Sequence, residues 1–198
     1  MNRILFLHGY TSKRPLGHWM RHSAAELRNN GNQVWYPQFP NPEFPDTADW
    51  QELLQQESAM MDEVSGGEKI AIAHSLGTVN WLLGALTNQF LKPFDRVLLV
   101  AIPDPAITSQ ASGIKGEALE YQHPNLVPQM HKWARSITVL ASDQDRWQPE
   151  GPGFYDSLAL ETLIFPGAGH FSLDDGFGPY SGIAKWVKTS NPLDLLSH

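Results

Sequence analysis

The segment that most restricts how this chain can fold is a short apolar run, Lys69 to Ala73, that delivers His74-Ser75-Leu76-Gly77 into a helix-compatible stretch. A strand, a tight turn and a helix in that order form half of a βαβ unit, so the segment predicts a parallel sheet with helices packed against it. The turn also has a chemical reading. A serine hydroxyl is a weak nucleophile at neutral pH, so an enzyme that uses one holds it exposed on a sharp turn beside a base and backbone donors. Ser75 in Ala73-His74-Ser75-Leu76-Gly77 fits such a nucleophile elbow, with Ala73 in place of the usual leading glycine.

A nucleophilic serine needs a histidine to take its proton and a carboxylate to orient that histidine. In sheet hydrolases these follow in the chain order Ser, Asp, His. Downstream of Ser75, the β-rich run Ser136 to Ala141 ends in Ser142-Asp143-Gln144-Asp145. The run Thr162 to Phe165 ends in Pro166-Gly167-Ala168-Gly169-His170-Phe171. Each candidate follows a strand, and active groups of open parallel sheets gather at the carboxyl ends of strands. The residues themselves leave Asp143 and Asp145 both open as the acid. The chain begins with another buried strand, Arg3 to Leu7, which turns at His8-Gly9-Tyr10. The expected oxyanion hole combines the Leu76 N–H with that of Tyr10 or Gly9. His8 is expected to brace that loop by hydrogen bonding.

These residues resemble the small α/β-hydrolase-fold serine hydrolases typified by retinoblastoma-binding protein nine and its bacterial relatives. The resemblance runs nearly end to end. Besides the elbow and Gly167-Ala168-Gly169-His170, it includes Pro40-Asn41-Pro42-Glu43-Phe44-Pro45 followed by Asp49-Trp50, similar to the family's Pro-rich loop and the Trp of its next helix. The resemblance implies Ser75 as nucleophile, His170 as base and Asp145 as orienting acid. It also implies a sheet order 2-1-3-4-5-6 in a single-domain, three-layer sandwich, a mostly parallel six-stranded sheet with helices on both faces. Arg146 departs from the pattern, because the family commonly has proline after that aspartate.

The spacing predicts strands near 3–7, 33–36, 69–73, 95–101, 136–141 and 161–165. Helices are expected near 18–29, 48–64, 76–90, 152–159 and 179–189. One domain over 1–190 and a frayed tail over 191–198 are expected. The irregular stretch 103–128 is either a small lid or a packed surface loop. Trp147, Phe171, Phe39 and Tyr10 lie beside the candidate loops and are candidates to line an apolar acyl pocket, with simple core packing the alternative for any one of them. Trp19, Trp81, Trp133 and Trp186 are expected in the core. His18 and His22, spaced i, i+4, are expected on a solvated helix face rather than on a metal, and Glu52, Glu57, Asp62 and Glu63 on the wet face of theirs.

A net charge of −7 opposes a nucleic-acid partner, and the absence of cysteine excludes disulfides and thiolate-bound metal. The N-terminal apolar run is too short for a signal peptide, which makes a cytoplasmic location the expectation, with no membrane partner. No metal or organic cofactor is implied. The expected activity is a carboxylesterase-like serine hydrolase cleaving a small ester, thioester or amide through an acyl-enzyme. The alternative is a catalytically idle hydrolase-fold protein that binds a ligand or a protein, although no protein partner is indicated.

Overall fold

The computed structural model describes residues 1–111 and 113–198, with the side chains of Gln110 and Ser157 outside the description. Its elements alternate: β1 (Arg3–Leu7), α1 (Trp19–Asn29), β2 (Gln33–Trp35), α2 (Thr47–Glu63), β3 (Lys69–His74), α3 (Leu76–Leu86), β4 (Phe94–Val100), α4 (Pro105–Gln110), α5 (Leu126–Trp133), β5 (Ala134–Ala141), β6 (Glu161–Ile164) and α6 (Ser181–Thr189). Two 3₁₀ helices, Gly151–Leu158 and Pro192–Leu196, flank the last strand and close the chain. The six strands form one sheet in the order 2-1-3-4-5-6, and every pairing is parallel.

The layers follow from the period-two alternation of strand side chains. Leu5, Leu7, Ala71, Ala73, Val97, Leu99, Val139 and Ala141 face one way, and pack with α2, α3 and α5. Ile4, Phe6, Ile70, Ile72, Leu98, Val100 and Leu140 face the other way, against α1 and α6. Both faces are covered, so β3 and β4 read as nearly continuous apolar runs. Burying any one of these Leu or Ile side chains stabilises the fold by about 1.5–3 kcal/mol. Trp19, Trp81, Trp133 and Trp186 all lie in this core.

Several boundaries differ from the sequence expectation. The helix after the elbow stops at Leu86, because Thr87 and Asn88, the latter at φ 59°, turn the chain back. The expected helix near 152–159 is a 3₁₀ helix. The stretch 103–128 contains α4 and the start of α5, neither of which was expected; its Ser112 lies outside the described residues. Pro105 begins α4 with the Asp104 carboxylate capping the Ala106 N–H at 2.6 Å. Pro124 and Pro128 mask α5 in the sequence. Yet Pro128 sits in its first turn, where a missing N–H costs nothing, and Leu126, Met130 and Trp133 recur at helical spacing.

Residues 191–198 are not frayed. Leu195 is fully buried, the Tyr180 hydroxyl donates to its carbonyl, and the His198 ring packs on Phe177 and Tyr180. Gly182 allows the approach, since a Cβ there would meet the Asp194 and Ser197 carbonyls at 2.7 and 2.8 Å. Asp62 is also not on a wet face. Its side chain is 5 % exposed and pairs with the equally buried Lys69 ammonium at 2.8 Å, because a lysine inside a central strand needs a counter-charge.

Candidate active site

All the chemistry-bearing segments emerge at the carboxyl edge of the sheet. Ser75 directly follows β3 and takes φ 53°, ψ −126°, a backbone region that costs a non-glycine residue about 1–3 kcal/mol. Two features hold it there. Its N–H donates to the Val100 carbonyl of β4 at 3.0 Å, and Gly77 lets α3 lie directly on the end of β1. A Cβ on Gly77 would stand 2.2 Å from the Leu7 carbonyl oxygen, so any side chain would push the helix off the strand.

The geometry joins Ser75, His170 and Asp145. Ser75 Oγ lies 2.8 Å from His170 Nε2, and His170 Nδ1 lies 2.8 and 2.9 Å from the two carboxylate oxygens of Asp145. Asp145 is buried, and its Oδ1 also accepts the Trp147 N–H at 2.8 Å. Asp143 is elsewhere. Its Oδ1 accepts the Gly167 N–H at 2.7 Å, which ties the loop after β5 to the loop that carries His170.

That His170 loop is held from four sides. His74 Nε2–H donates to the His170 carbonyl at 2.8 Å, and Trp19 Nε1–H donates to the Phe171 carbonyl at 3.0 Å. Asp175 Oδ2 accepts from the His170 N–H, the Ser172 N–H and the Ser172 hydroxyl. Those donors hold the Asp175 carboxyl below its ordinary range even though partial burial pushes the other way. Arg146 reaches the other oxygen of Asp175 at 3.6 Å. Arg146, the residue that departs from the pattern, therefore links the loop of Asp145 to the loop of His170.

The turn after β1 supplies the facing wall. His8 is buried beneath it, in contact with Phe39 and Trp50. Its Nε2 accepts the Phe39 N–H at 2.8 Å, which leaves the proton on Nδ1, 3.0 Å from the Gly9 carbonyl oxygen. Burial, with a smaller contribution from Arg14, lowers its pKa to about 4, so the ring is a neutral brace at pH 7. Ser12 N–H also donates to the Gly9 carbonyl. The Gly9–Tyr10 peptide is trans, so a carbonyl fixed on that side turns the Tyr10 N–H to the opposite side. Gly9 itself packs against Ser75, where an added Cβ would meet the serine Cβ at 2.8 Å.

A cavity of about 560 Å³ opens over Ser75. Gly9, Tyr10, Leu76 and Trp147 line it. Phe39 and Phe171 do not. Phe39 is fully buried against His8 and Trp50. Phe171, at φ 53°, turns its ring into the core against Phe165 and Phe177, and leaves Ser172 and Leu173 to face the cavity. Thr108, Ala111 and Ile114, from α4 and the segment after it, also line the cavity. That segment is latched to the start of α2 by Lys115 N–H to the Pro45 carbonyl and Thr47 N–H to the Lys115 carbonyl.

His18 also departs from expectation. It is not on a wet helix face: it caps the N-terminus of α1, accepting the Met20 N–H on Nδ1, and it lines the cavity while remaining 7 % exposed. Burial, assisted by His8 and His170, lowers its pKa to about 4. Its ring lies 5.5 Å from that of His74, which burial holds well below the ordinary histidine range. Among the described residues, no group of three or more potential ligands is placed to hold a metal, and no helix is long and apolar enough to cross a membrane.

The fold is similar to several solved structures. These include the ydeN gene product from B. subtilis (TM-score 0.73, 21 % identity, spanning 96 % of this chain and 98 % of that one). Others are the esterase domain of a Rhodothermus marinus protein (0.65, 19 %, 94 % and 85 %) and Est1E from Butyrivibrio proteoclasticus (0.64, 13 %, 94 % and 86 %). At these identities the likeness is one of fold. No curated protein was found to match the chain. The family model described as serine hydrolase matches residues 4–189.

Proposed function

This chain belongs to the serine hydrolase family, and on that premise we propose that it cleaves a small ester, thioester or amide through a Ser75 acyl-enzyme. One observation carries the reading: the unbroken line from Ser75 Oγ through His170 to Asp145, with every contact at 2.8–2.9 Å. His170 Nε2 takes the hydroxyl proton as Oγ attacks the carbonyl carbon. Asp145 accepts from Nδ1–H, which fixes the tautomer and stabilises the imidazolium. The developing oxyanion is received by the N–H of Leu76, which has no partner among the described residues at the first position of α3, and by the N–H of Tyr10. Collapse expels the leaving group, which takes the proton back from His170. Water activated by the same imidazole then releases the acid.

Asp145 is the orienting acid in this reading, and Asp143 is a loop tie. The apolar wall of Leu76, Ala111, Ile114 and Trp147 suits an uncharged acyl group, and the acidic chain disfavours nucleic acid. A cytoplasmic setting fits a chain with neither cysteines nor a long apolar helix among its described residues. The test is labelling by a fluorophosphonate probe together with hydrolysis of a graded series of neutral acyl esters. Labelling of wild-type protein that Ser75→Ala abolishes is the expected result. Labelling that persists in Ser75→Ala would remove Ser75 from the mechanism, and a wild type inert to both probe and esters would favour an idle binding module.

A further inference from the structure

Two imidazoles beside the proposed nucleophile each have one ring nitrogen committed to the protein and one left over. His18 Nδ1 accepts the Met20 N–H at 3.2 Å, so in the neutral ring the proton is on Nε2. His74 Nε2 donates to the His170 carbonyl at 2.8 Å, so its Nδ1 carries a lone pair. Neither His18 Nε2–H nor His74 Nδ1 has a hydrogen-bond partner among the described residues, and both residues line the cavity. Their ring centres are 5.5 Å apart. Burial keeps both rings neutral at pH 7, so the tautomers are set by the protein and the pair is one fixed donor beside one fixed acceptor.

One donor next to one acceptor is the complement of a hydroxyl group, which accepts one hydrogen bond and donates another. The location tells which part of a substrate would bring it. His74 packs against His170 with ring centres 5.1 Å apart, and His170 must return its proton to the departing oxygen, so the pair lies on the leaving-group side. Pro15 and Leu173 line the same cavity, and Leu173 touches Gly17, where a Cβ would stand 3.2 Å from its side chain.

We propose that His18 and His74 together bind a hydroxyl on the leaving group, which makes the preferred substrate class the esters of hydroxylated alcohols, with the second hydroxyl a few atoms from the scissile bond. The proposal rests on the hydrolase reading for its orientation, but the pair itself needs no turnover to be tested. An alkyl leaving group of the same length strands a donor and an acceptor that burial has already stripped of most water, so the site discriminates against it.

The experiment compares ω-hydroxyalkyl butanoates carrying two to four leaving-group carbons with alkyl butanoates of matched length, in which methyl replaces hydroxyl. Dissociation constants are measured by NMR titration of Ser75→Ala protein, with and without His18→Asn. Asparagine is among the best helix caps, so this variant keeps an acceptor for the Met20 N–H and removes the ring donor. Ser75→Ala should bind the best hydroxyalkyl ester roughly tenfold more tightly than its alkyl partner, a factor in line with one well-made polar pair. His18→Asn should collapse that ratio towards one with the melting temperature kept within a few degrees. Equal binding of both esters by Ser75→Ala, a ratio that survives His18→Asn, or no binding of either ester would overturn the proposal. None of these outcomes depends on fluorophosphonate labelling, so failure here is distinct from failure of the hydrolase reading.

Discussion

A buried acid–base pair lies at each end of strand β3, and the two ends do opposite things with it. At its start, Lys69 Nζ is sealed: it donates to Asp62, to the Ser58 hydroxyl and to the Lys92 carbonyl, and lies over the Phe94 ring. At its finish, His170 and Asp145 meet Ser75 on the floor of an open cavity. Six residues at about 3.3 Å each put the two pairs roughly 20 Å apart. Burial alone thus does not distinguish the two ends. The Lys69 end satisfies its charge and leaves no room, whereas the Ser75 end keeps a strained serine facing space.

The sharpest way to break this contrast is to remove the hydroxyl. Ser75→Ala is expected to lower ester turnover by on the order of a millionfold if the wild type is an efficient catalyst, with an unchanged circular-dichroism spectrum. Asp145→Asn comes next, with a fall in kcat of roughly ten-thousandfold, because the amide can donate to Nδ1 and fix the wrong tautomer. A small effect there, with collapse in Asp143→Asn, would exchange the roles given to the two acids.

The opposite end of β3 should respond in stability and not in rate. Asp62→Asn leaves the Lys69 ammonium buried and unpaired, and is expected to cost about 3–5 kcal/mol in urea denaturation with kcat retained. A change in kcat comparable with that of Asp145→Asn would show that the two ends are not independent. Acid should weaken the site end. His8 and His18 have native pKa values near 4 against about 6.5 unfolded, so between those values the unfolded chain binds more protons. Stability is therefore complete above about pH 6.5 and falls as the pH drops towards 4, by up to about 3 kcal/mol per histidine. Denaturation midpoints that do not fall over this window would contradict the buried, neutral assignment. The smallest effect belongs to Asp143→Asn, about 1 kcal/mol for a weakened tie to the Gly167 N–H, with near-normal kcat.

Much of the architecture was legible because it depends on local pattern. Apolar runs of strand length, separated by helical periodicity, imply six parallel strands, and each candidate site residue can be placed after a particular strand by counting along the chain. The order of those strands came from family resemblance, and the sheet has that order. Elements whose cue is a cap or an unusual proline, such as α4 and α5, were hidden by composition that resembles a loop.

What the tertiary structure alone decided is direction and company. Periodicity cannot say which way a residue faces when its backbone leaves the ordinary regions, as Phe171 does at φ 53°, or whether a ring beside a reactive loop packs inward, as Phe39 does. It cannot separate Asp143 from Asp145, two residues apart, because one meets a backbone N–H and the other an imidazole brought from 25 residues downstream. Nor does it reveal that His18, read as solvated, meets His74 across 56 residues of chain at the cavity wall. Hydrophobic pattern is a property of neighbours along the chain, and it determined the sheet and its layers. Hydrogen-bond partnership and the state of each buried proton arise only between segments that folding brings together.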